Sequence, residues 1–294
     1  MKKSILVTGV SGFIGQHLLF RLLKKNNKVF GILRKSKKNK KFVNKVVCKY
    51  KNFYPIFFSK INELNFKLKK IKVNILINLA TLYLKDHNFT EMVKLINSNI
   101  LFTTAVIEAL PKNRMEKFIN FSSMMLHNNS KSYEPQNLYS ATKKAFIDIL
   151  RLYEIKYKNI KFFNLTIYDT YGPKDKRIKV IPEIIEKYKS NKAVNVYSKK
   201  LELNLLHVND VCQGIEILIK KSISAGQYKI MSKKFTNIEK LIIQTNKNLE
   251  KKIKYMITNR RVNKKISVNI KHLPFWKQRY NIENDILTYL HESN

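Results

Sequence analysis

The chain has 294 residues, and 44% of them are hydrophobic, which is enough for a substantial core in one large domain or two modest ones. It contains no run of about 18 apolar residues and no heptad repeat, so a membrane span and a coiled coil are both disfavoured. Cys48 and Cys212 lie far apart and outside any CxxC pattern, which indicates a reducing, cytoplasmic compartment and no metal site.

The formal net charge of +38 would by itself suggest a nucleic-acid or anionic membrane partner. The excess is almost entirely lysine, with 50 Lys against 8 Arg, and Asn (32) and Ile (35) are also abundant. All three residues have AT-rich codons, and the lysines are spread along the whole chain. We therefore attribute the charge mainly to base composition and expect no specific nucleic-acid partner.

Short apolar runs alternate with amphipathic stretches through the first 166 residues. The pattern predicts strands at 4–8, 28–33, 45–49, 73–79, 117–122 and 160–166. It predicts helices at 13–25, 57–68, 88–110 and 137–157. Strands that are apolar along nearly their whole length are typical of a parallel sheet covered on both faces, so we expect a doubly wound α/β fold of the Rossmann type.

The pattern loosens after about residue 172 and predicts a smaller C-terminal α/β lobe. Helices are expected near 178–190, 209–221 and 282–292, and strands near 194–197 and 227–231. We expect residues 1–170 to bind a dinucleotide, with segments near 200–232 returning to that domain. Residues 171–294 should mainly bind substrate.

Three of the seven glycines fall in one turn between the first strand and the first helix. Gly9 allows the tight turn, Gly12 lets backbone N–H groups approach a pyrophosphate, and Gly15 allows close packing of the helix. Phe13 and Ile14 open that helix, whose N-terminus carries a partial positive charge. The spacing predicts a dinucleotide site.

The end of the second predicted strand indicates which dinucleotide would bind. A carboxylate there would hold the ribose hydroxyls of NAD, but this strand ends with Arg34, followed by Lys35, Ser36 and Lys37. A guanidinium can form paired hydrogen bonds to a 2′-phosphate. The sequence therefore favours NADP(H), with NAD(H) as the alternative.

An ordered set of motifs resembles the extended short-chain dehydrogenases/reductases, the NAD-dependent epimerase/dehydratase family that acts on nucleotide-activated sugars. The pieces are VTGVSGFIG at 7–15, NLA at 78–80, FINFSS at 118–123, YSATK at 139–143, DTYGP at 169–173 and HVNDV at 207–211. Within that family, the stretches NLTIYDTYGPKDKRIKVIPEII and LNLLHVNDV look most like sugar 4-ketoreductases of the CDP-abequose and CDP-paratose synthase type.

The resemblance implies catalytic roles for Ser123, Tyr139 and Lys143. Tyr139 and Lys143 are four residues apart, so they share one helix face. Tyr139 would exchange a proton with the substrate oxygen. A neighbouring ammonium and the positive nicotinamide of the oxidised cofactor would lower its pKa. Lys143 would also bind the nicotinamide ribose. Ser123, rather than Ser122, would hold the reacting oxygen.

The resemblance implies further contacts that are less specific. Leu79, Ala80 and Thr81 should line the cofactor after the fourth strand, and Thr81 should also face the substrate. Asn99 matches a family asparagine on the following helix that contacts the cofactor.

Three charged residues in the segment after 168 are expected at the substrate. Asp169 stands where many relatives have a substrate-contacting asparagine. Lys174 and Arg177 are candidates for binding the diphosphate of a sugar nucleotide, although a solvated basic loop would explain them equally well.

Departures from the family pattern favour one reaction. The 4,6-dehydratases carry an Asp-Glu pair after the catalytic hydroxyl, and this chain has Met124 and Met125, which cannot exchange protons. Arg34 disfavours an NAD-retaining 4-epimerase, and Leu203 replaces an arginine that grips the nucleotide phosphates in many relatives. The expected activity is NADPH-dependent reduction of a nucleotide-activated 4-keto-6-deoxy sugar in polysaccharide synthesis.

Two alternatives remain open from the sequence. One is an NAD-dependent nucleotide-sugar 4-epimerase. The other is a non-catalytic NAD(P)-sensing or RNA-binding protein on the same fold, which the intact Ser123, Tyr139 and Lys143 disfavour. The family also implies a homodimer through helices 88–110 and 137–157, with Phe146, Ile149, Leu150 and Tyr153 as candidate interface residues.

Overall fold

The structure is a computed structural model, and it describes residues 2–127, 132–260 and 268–291. The strands are β1 (Ser4–Thr8), β2 (Lys28–Arg34), β3 (Phe53–Phe58), β4 (Ile75–Asn78), β5 (Lys117–Ser123), β6 (Lys161–Ile167), β7 (Asp169–Tyr171), β8 (Val194–Val196), β9 (Glu202–Leu203), β10 (Leu205–His207), β11 (Gly226–Ile230), β12 (Thr236–Asn237) and β13 (Tyr255–Ile257). The helices are α1 (Phe13–Lys24), α2 (Lys37–Val47), α3 (Asn62–Leu68), α4 (Phe89–Ile96), α5 (Phe102–Ala109), α6 (Leu138–Lys156), α7 (Val180–Lys189), α8 (Val208–Lys220), α9 (Ile238–Lys247) and α10 (Ile282–His291).

A seven-stranded parallel sheet forms the centre of the molecule, in the order β11-β6-β5-β4-β1-β2-β3. One core cluster packs α1, α2 and α8 against one face, and a second packs α3, α5 and α6 against the other. Because helices cover both faces, the central strands are apolar along most of their length. The predicted doubly wound α/β fold is confirmed.

The third strand was predicted in the wrong place. Residues 45–49 (KVVCK) were expected to form a strand, but most of this segment is the last turn of α2, which buries Val43 and Val46 at helical spacing. The strand is β3, which contains Pro55 and lies at the sheet edge, where a residue without an N–H is tolerated. The helix predicted at 57–68 consequently begins later, at Asn62.

The long helix predicted at 88–110 contains an irregular turn. A π-helical segment, Asn97–Leu101, joins α4 to α5 without a break in the chain direction. Such a wider turn is often found at functional sites because it turns a side chain away from the regular helical position. Here the buried member of the segment is Asn99.

The later part of the chain forms a third apolar cluster around α7, α9 and α10, together with β8 and β10. Helix α9 was not predicted from the sequence. Strand β11 leaves this part of the chain and pairs in parallel with β6 in the central sheet. Within the residues described, no helix is both long enough and apolar enough to cross a membrane.

Candidate active site

The glycine-rich turn joins β1 to α1 at the carboxyl edge of the sheet. Gly9 has a φ of +65°, and a Cβ there would lie 2.7 Å from the Ala80 N and 2.8 Å from the Leu79 carbonyl carbon. A Cβ on Gly15 would lie 2.1 Å from the Gly9 O. Both positions therefore require glycine, and the turn presses against the segment that follows β4.

Thr8 fixes this close approach through two hydrogen bonds. Its hydroxyl donates to Asn78 Oδ1 at 2.7 Å and accepts from the Ala80 N at 3.0 Å. The amides continue across the sheet, because Asn78 donates to Asn120 at 3.0 Å and Asn120 donates to Asn164 at 2.9 Å. This buried asparagine row links β1, β4, β5 and β6 beneath the predicted cofactor segment.

Asn99 holds the segment after β4 against α6. Its Oδ1 accepts from the Leu82 N at 2.7 Å and from the Thr81 hydroxyl at 3.2 Å. Its Nδ2 donates to the Leu82 O and to the Thr142 hydroxyl, both at 3.0 Å. Each amide atom thus has two partners within the protein, and Asn99 positions the residues that were expected to touch the cofactor.

Tyr139 is buried at the start of α6, between the ends of β4 and β5. The hydroxyls of Ser123 and Thr81 lie beside its phenol group, and its ring packs edge-on against Tyr83 with centroids 5.0 Å apart. Burial raises the pKa of Tyr139 to about 12, although the neighbouring hydroxyls of Ser123 and Thr81 oppose the shift. The expected lowering of this pKa is therefore wrong for the protein's own residues, because desolvation dominates.

Lys143 lies one helical turn after Tyr139 and is 5% exposed. Within the described parts of the chain, its ammonium has no hydrogen-bonding or ionic partner. Burial alone lowers the pKa of Lys143 to about 8. A buried ammonium without a partner is costly, so this site is suited to a ligand that brings acceptor oxygens.

Ser122 and Ser123 point to opposite sides of β5, as successive strand residues do. Ser123 contacts Tyr139, and its hydroxyl accepts a hydrogen bond from the Met125 N at 3.2 Å. Ser122 instead lines a separate groove beside α6. Of the two serines, the structure brings the predicted one, Ser123, to the predicted acid–base pair.

Arg34 is the last residue of β2, and its side chain is exposed. Ser36 caps α2 by accepting from the Asn39 N at 3.1 Å, so the helix begins at Lys37, three residues after the arginine. The first turn of α2 contains no acidic residue. An anion at this edge would meet the guanidinium and the positive end of the helix dipole together.

Four charged residues of the segment 169–179, namely Asp169, Asp175, Arg177 and Lys179, pair with each other within the protein. Lys179 donates to Asp169 at 2.8 Å. Arg177 forms a two-pronged ion pair with Asp175, at 2.8 and 2.7 Å, and its guanidinium lies 4.2 Å from the centroid of the Phe13 ring. Arg177 therefore lies beside the glycine-rich turn.

This segment is fastened to α1 by a second contact. His17 donates from Nε2 to the Pro173 carbonyl at 3.1 Å, and its ring packs edge-on against Phe13. Lys174 follows in a left-handed conformation, with a φ of +63°. The structure thus brings Phe13 together with Arg177, but it places neither Lys174 nor Arg177 in contact with Tyr139.

Comparison with known proteins identifies the family. A family model described as "NAD dependent epimerase/dehydratase family" matches residues 5–231, which is more than half of the chain. The chain belongs to the NAD-dependent epimerase/dehydratase family. The resemblance inferred from the motifs is confirmed, and so is the expectation that the chain is an enzyme of this NAD(P)-dependent class.

Individual members differ in the activity that their names record. A CDP-abequose synthase from Salmonella muenchen is 25% identical over 78% of this chain and 74% of its own length. A dTDP-D-glucose 4,6-dehydratase from Dictyostelium discoideum is 28% identical over 78% of this chain and 58% of its own length.

A solved structure confirms the family fold over nearly the whole chain. The UDP-glucuronic acid 4-epimerase of Bacillus cereus, in complex with UDP-glucuronic acid and NAD, superposes with a TM-score of 0.82 at 18% identity. It covers 99% of this chain and 100% of its own. At that identity the likeness shows the fold alone.

Some residues of this family member's site gave no usable signal in the sequence. Tyr83 lies in a loop without hydrophobic periodicity, and its ring packs on Tyr139. The Lys179 ammonium lies 4.6 Å from the centroid of the Tyr83 ring. Lys179 is one of 50 lysines, so its ion pair with Asp169 could not be singled out. Only the fold places Tyr83 against Tyr139 and Lys179 against Tyr83.

Proposed function

We propose that the chain reduces a nucleotide-activated 4-keto-6-deoxy sugar with NADPH. The observation that carries the proposal is the group of Ser123, Tyr139 and Lys143, in which both ionisable side chains are buried and have pKa values shifted towards their neutral forms. This group lies next to a glycine-rich turn that leaves no room for side chains. The CDP-abequose synthase relatives support the choice of substrate class.

The residues at the sheet edge fit a dinucleotide. A Cβ at Gly9 or Gly15 would occupy backbone space, and Gly12 caps α1 without a side chain of its own. No described residue pairs with the Lys143 ammonium, so this group could bind the ribose hydroxyls. When bound, the nicotinamide would supply the hydride that the keto carbon receives.

The role of Tyr139 is to give a proton to the substrate oxygen. A pKa of about 12 keeps the phenol protonated at neutral pH, which suits a proton donor in the direction of reduction. The hydroxyls of Ser123 and Thr81 lie beside the phenol, and we propose that both also face the substrate. Lys143 stabilises the phenolate that remains after transfer.

The residues after Ser123 disfavour loss of water from the substrate. Met124 and Met125 form a short 3₁₀ turn directly after β5, where an elimination would need a carboxyl pair. Neither thioether can take up or release a proton at neutral pH. We propose that Asp169 contacts the sugar and that Lys174 and Arg177 favour its diphosphate.

The preference for NADPH rests on Arg34. The exposed guanidinium, the capped N-terminus of α2 and the absence of an acid in its first turn all favour a 2′-phosphate. Leu79, Ala80 and Thr81, which Asn99 fastens in place, would line the cofactor at the end of β4.

A titration of the protein with NADPH and NADH tests the proposal, with cofactor fluorescence as the readout and enough salt to suppress non-specific attraction. We expect NADPH to bind more tightly and Arg34→Ala to remove the preference. Lys60 is an exposed cationic residue that follows β3. Lys60→Ala is therefore a matched control and should retain the preference for NADPH. With 4-keto sugar nucleotides, NADPH should be consumed stoichiometrically.

Tighter NADH binding together with no net cofactor turnover would instead identify the 4-epimerase alternative. Failure to bind either cofactor, with RNA binding that weakens steeply as salt is added, would favour the non-catalytic alternative.

We also propose a homodimer through α4 and α6, but with different residues from those expected. Phe146, Leu150 and Tyr153 are buried in the core of the protomer, so they are not available to a partner. The same helices expose Phe89, Val93, Leu152 and Ile155.

Sedimentation should show a dimer that Leu152→Asp converts to a monomer. Phe66→Asp changes an exposed residue of α3 and should leave the dimer intact. A wild-type monomer would contradict this part of the proposal.

We propose that the two parts of the chain bind different ligands and that the protein is cytoplasmic. Residues 1–170, with β11, would form the cofactor domain, and most of 171–294 the substrate lobe. The location rests on the thiols of Cys48 and Cys212, both of which are free.

A further inference from the structure

A groove with a volume of about 430 Å³ lies beside α6, on the side of β5 away from Ser123. Its floor is formed by the ends of β5 and β6 and the start of β11, and α6 forms one wall. The volume falls in the usual range for small-molecule pockets, which is roughly 300–1,000 Å³. Neither Tyr139 nor Lys143 lines it, so it is separate from the candidate active site.

The floor holds three polar side chains that are nearly buried. Ser122 is 4% exposed, Thr166 2% and Asn164 8%. In the described part of the chain, neither hydroxyl has a hydrogen-bonding partner. Asn164 accepts from Asn120 through Oδ1, but its Nδ2 also lacks a partner there.

These polar atoms face the groove rather than packed protein. Among the residues described, every fully buried side-chain oxygen or nitrogen has a hydrogen bond except Thr104 Oγ1. The hydroxyls of Ser122 and Thr166 and the Nδ2 of Asn164 therefore each keep a small accessible area, and all three residues line the groove. Near-buried polar atoms that face a cavity are usually satisfied by a bound molecule or by water.

The charges at the rim of the groove neutralise each other. Lys144 pairs with Asp148, and Arg151 pairs with Glu154 at 2.9 Å, all along one face of α6. The Lys144 ammonium also lies 5.7 Å from the centroid of the Tyr133 ring. No unpaired lysine, arginine or carboxylate thus lines the described groove, although the net charge of the chain is +38.

We infer that this groove is a second ligand site, which binds an uncharged, polyhydroxylated molecule such as a pyranoside. Two hydroxyls that can donate and accept, together with an amide that donates, match the hydrogen-bonding groups of sugar hydroxyls. Ile147 and Leu150 supply an apolar wall for the face of the ring. A charged ligand would lose hydration without gaining a partner, so it is disfavoured.

The inference does not depend on the proposed reaction. The groove shares β5 and α6 with the candidate active site, because Ser122 adjoins Ser123 and Lys144 adjoins Lys143. The side chains that would bind the ligand are nevertheless different from the catalytic ones. Binding should consequently persist in Tyr139→Phe, whatever that variant does to activity.

The test is a titration of the full chain with methyl glucoside, a neutral pyranoside, and with methyl glucuronide, its carboxylate analogue. Isoleucine-methyl NMR reports the site, since Ile147 and Ile270 line the groove and Ile184 lies in the distant C-terminal cluster. We expect saturable shifts at Ile147 and Ile270 but not at Ile184. The glucuronide should bind at least roughly tenfold more weakly.

A matched pair of variants separates binding from folding. Thr166→Val removes one floor hydroxyl at nearly constant shape and should weaken binding of methyl glucoside roughly five- to tenfold. Thr104→Val is the same substitution at a buried hydroxyl outside the groove and should leave the affinity unchanged. Ser122→Ala provides a second test of the floor should Thr166→Val fold poorly.

Three results would overturn the inference. The absence of saturable shifts at Ile147 and Ile270 would mean that the groove holds water only. Equal affinity of wild type, Thr166→Val and Ser122→Ala would place the ligand elsewhere. Tighter binding of the glucuronide would show that the overall charge, rather than the neutral floor, attracts it.

Discussion

The glycine-rich turn and the segment 169–179 meet at Phe13, yet they are built in different ways. The turn consists of backbone packed on backbone, with Gly15 and Gly9 so close that no Cβ fits. The segment 169–179 is held by side-chain charges, chiefly the pairs of Arg177 with Asp175 and Lys179 with Asp169. Backbone packing leaves one choice of residue, whereas an ion pair can form with any charge that the fold brings near.

The same contrast applies to the proposed catalytic group of Ser123, Tyr139 and Lys143. Its side chains would supply the chemistry, whereas the surrounding backbone does not depend on them for its fold. Tyr139→Phe should lower the rate of NADPH oxidation with a 4-keto sugar nucleotide about 10³-fold, because it removes the proton donor. Stability and NADPH affinity should remain close to those of wild type. If NADPH affinity fell as much as the rate, the phenol would also be needed to maintain the cofactor site.

The neighbouring serines provide the control for that experiment. Ser123→Ala should lower the rate about 10²-fold, since this hydroxyl contacts Tyr139. Ser122→Ala changes a side chain on the other side of the strand and should leave the rate within about twofold. Similar rates for the two variants would contradict the assignment of Ser123.

Substitutions in the glycine-rich turn, which consists of packed backbone, should reduce stability as well as cofactor binding. Gly15→Ala would place a Cβ 2.1 Å from the Gly9 O, and we expect it to cost about 3 kcal/mol of unfolding free energy and to abolish dinucleotide binding. In Gly12→Ala the nearest contact is 3.1 Å, so its cost should be smaller. Urea denaturation measures both, and an unchanged midpoint for Gly15→Ala would show that the turn relaxes freely.

Buried Lys143 predicts how stability changes with pH. Its pKa is about 8 in the folded chain, against the ordinary value near ~10.4, so between these values the unfolded chain binds a proton that the folded chain does not. Stability should therefore rise with pH through this window. From roughly pH 7.5 to 9.5, wild type should gain about 2 kcal/mol relative to Lys143→Met.

Equilibrium unfolding of both proteins at the two pH values makes this comparison. Subtracting the variant removes the contribution of the other lysines. A constant difference between the two proteins would mean that Lys143 keeps its ordinary pKa.

The smallest effects should come from the segment 169–179. Arg177→Met removes the cation over Phe13 and the pair with Asp175, and we expect a loss of about 1 kcal/mol in stability and a few-fold weaker cofactor binding. Lys174→Met removes a charge without these contacts and should have almost no effect on stability or on cofactor binding. If Lys174→Met instead reduced substrate affinity more than Arg177→Met, Lys174 would be the stronger diphosphate ligand.

The sequence located the site best where local geometry decides the residue. Gly9, Gly12 and Gly15 have a spacing that only a turn of this kind requires, and Tyr139 and Lys143 share a helix face whatever surrounds them. The third strand shows the limit. Val46 and Val47 suit a strand as well as a helix. Pro55 made the segment that forms β3 look unlike a strand, because a proline is acceptable there only at the edge of a sheet.

The sequence by itself determined the doubly wound fold, the glycine-rich turn and the shared helix face of Tyr139 and Lys143, because periodicity and spacing are local properties of the chain. Tertiary structure alone decided the partners of long charged side chains, so Arg177 lies on Phe13 and Lys179 on Asp169. It also decided the protonation tendencies of Tyr139 and Lys143, since the pKa depends on how completely other elements exclude water. No local pattern in the chain records that burial.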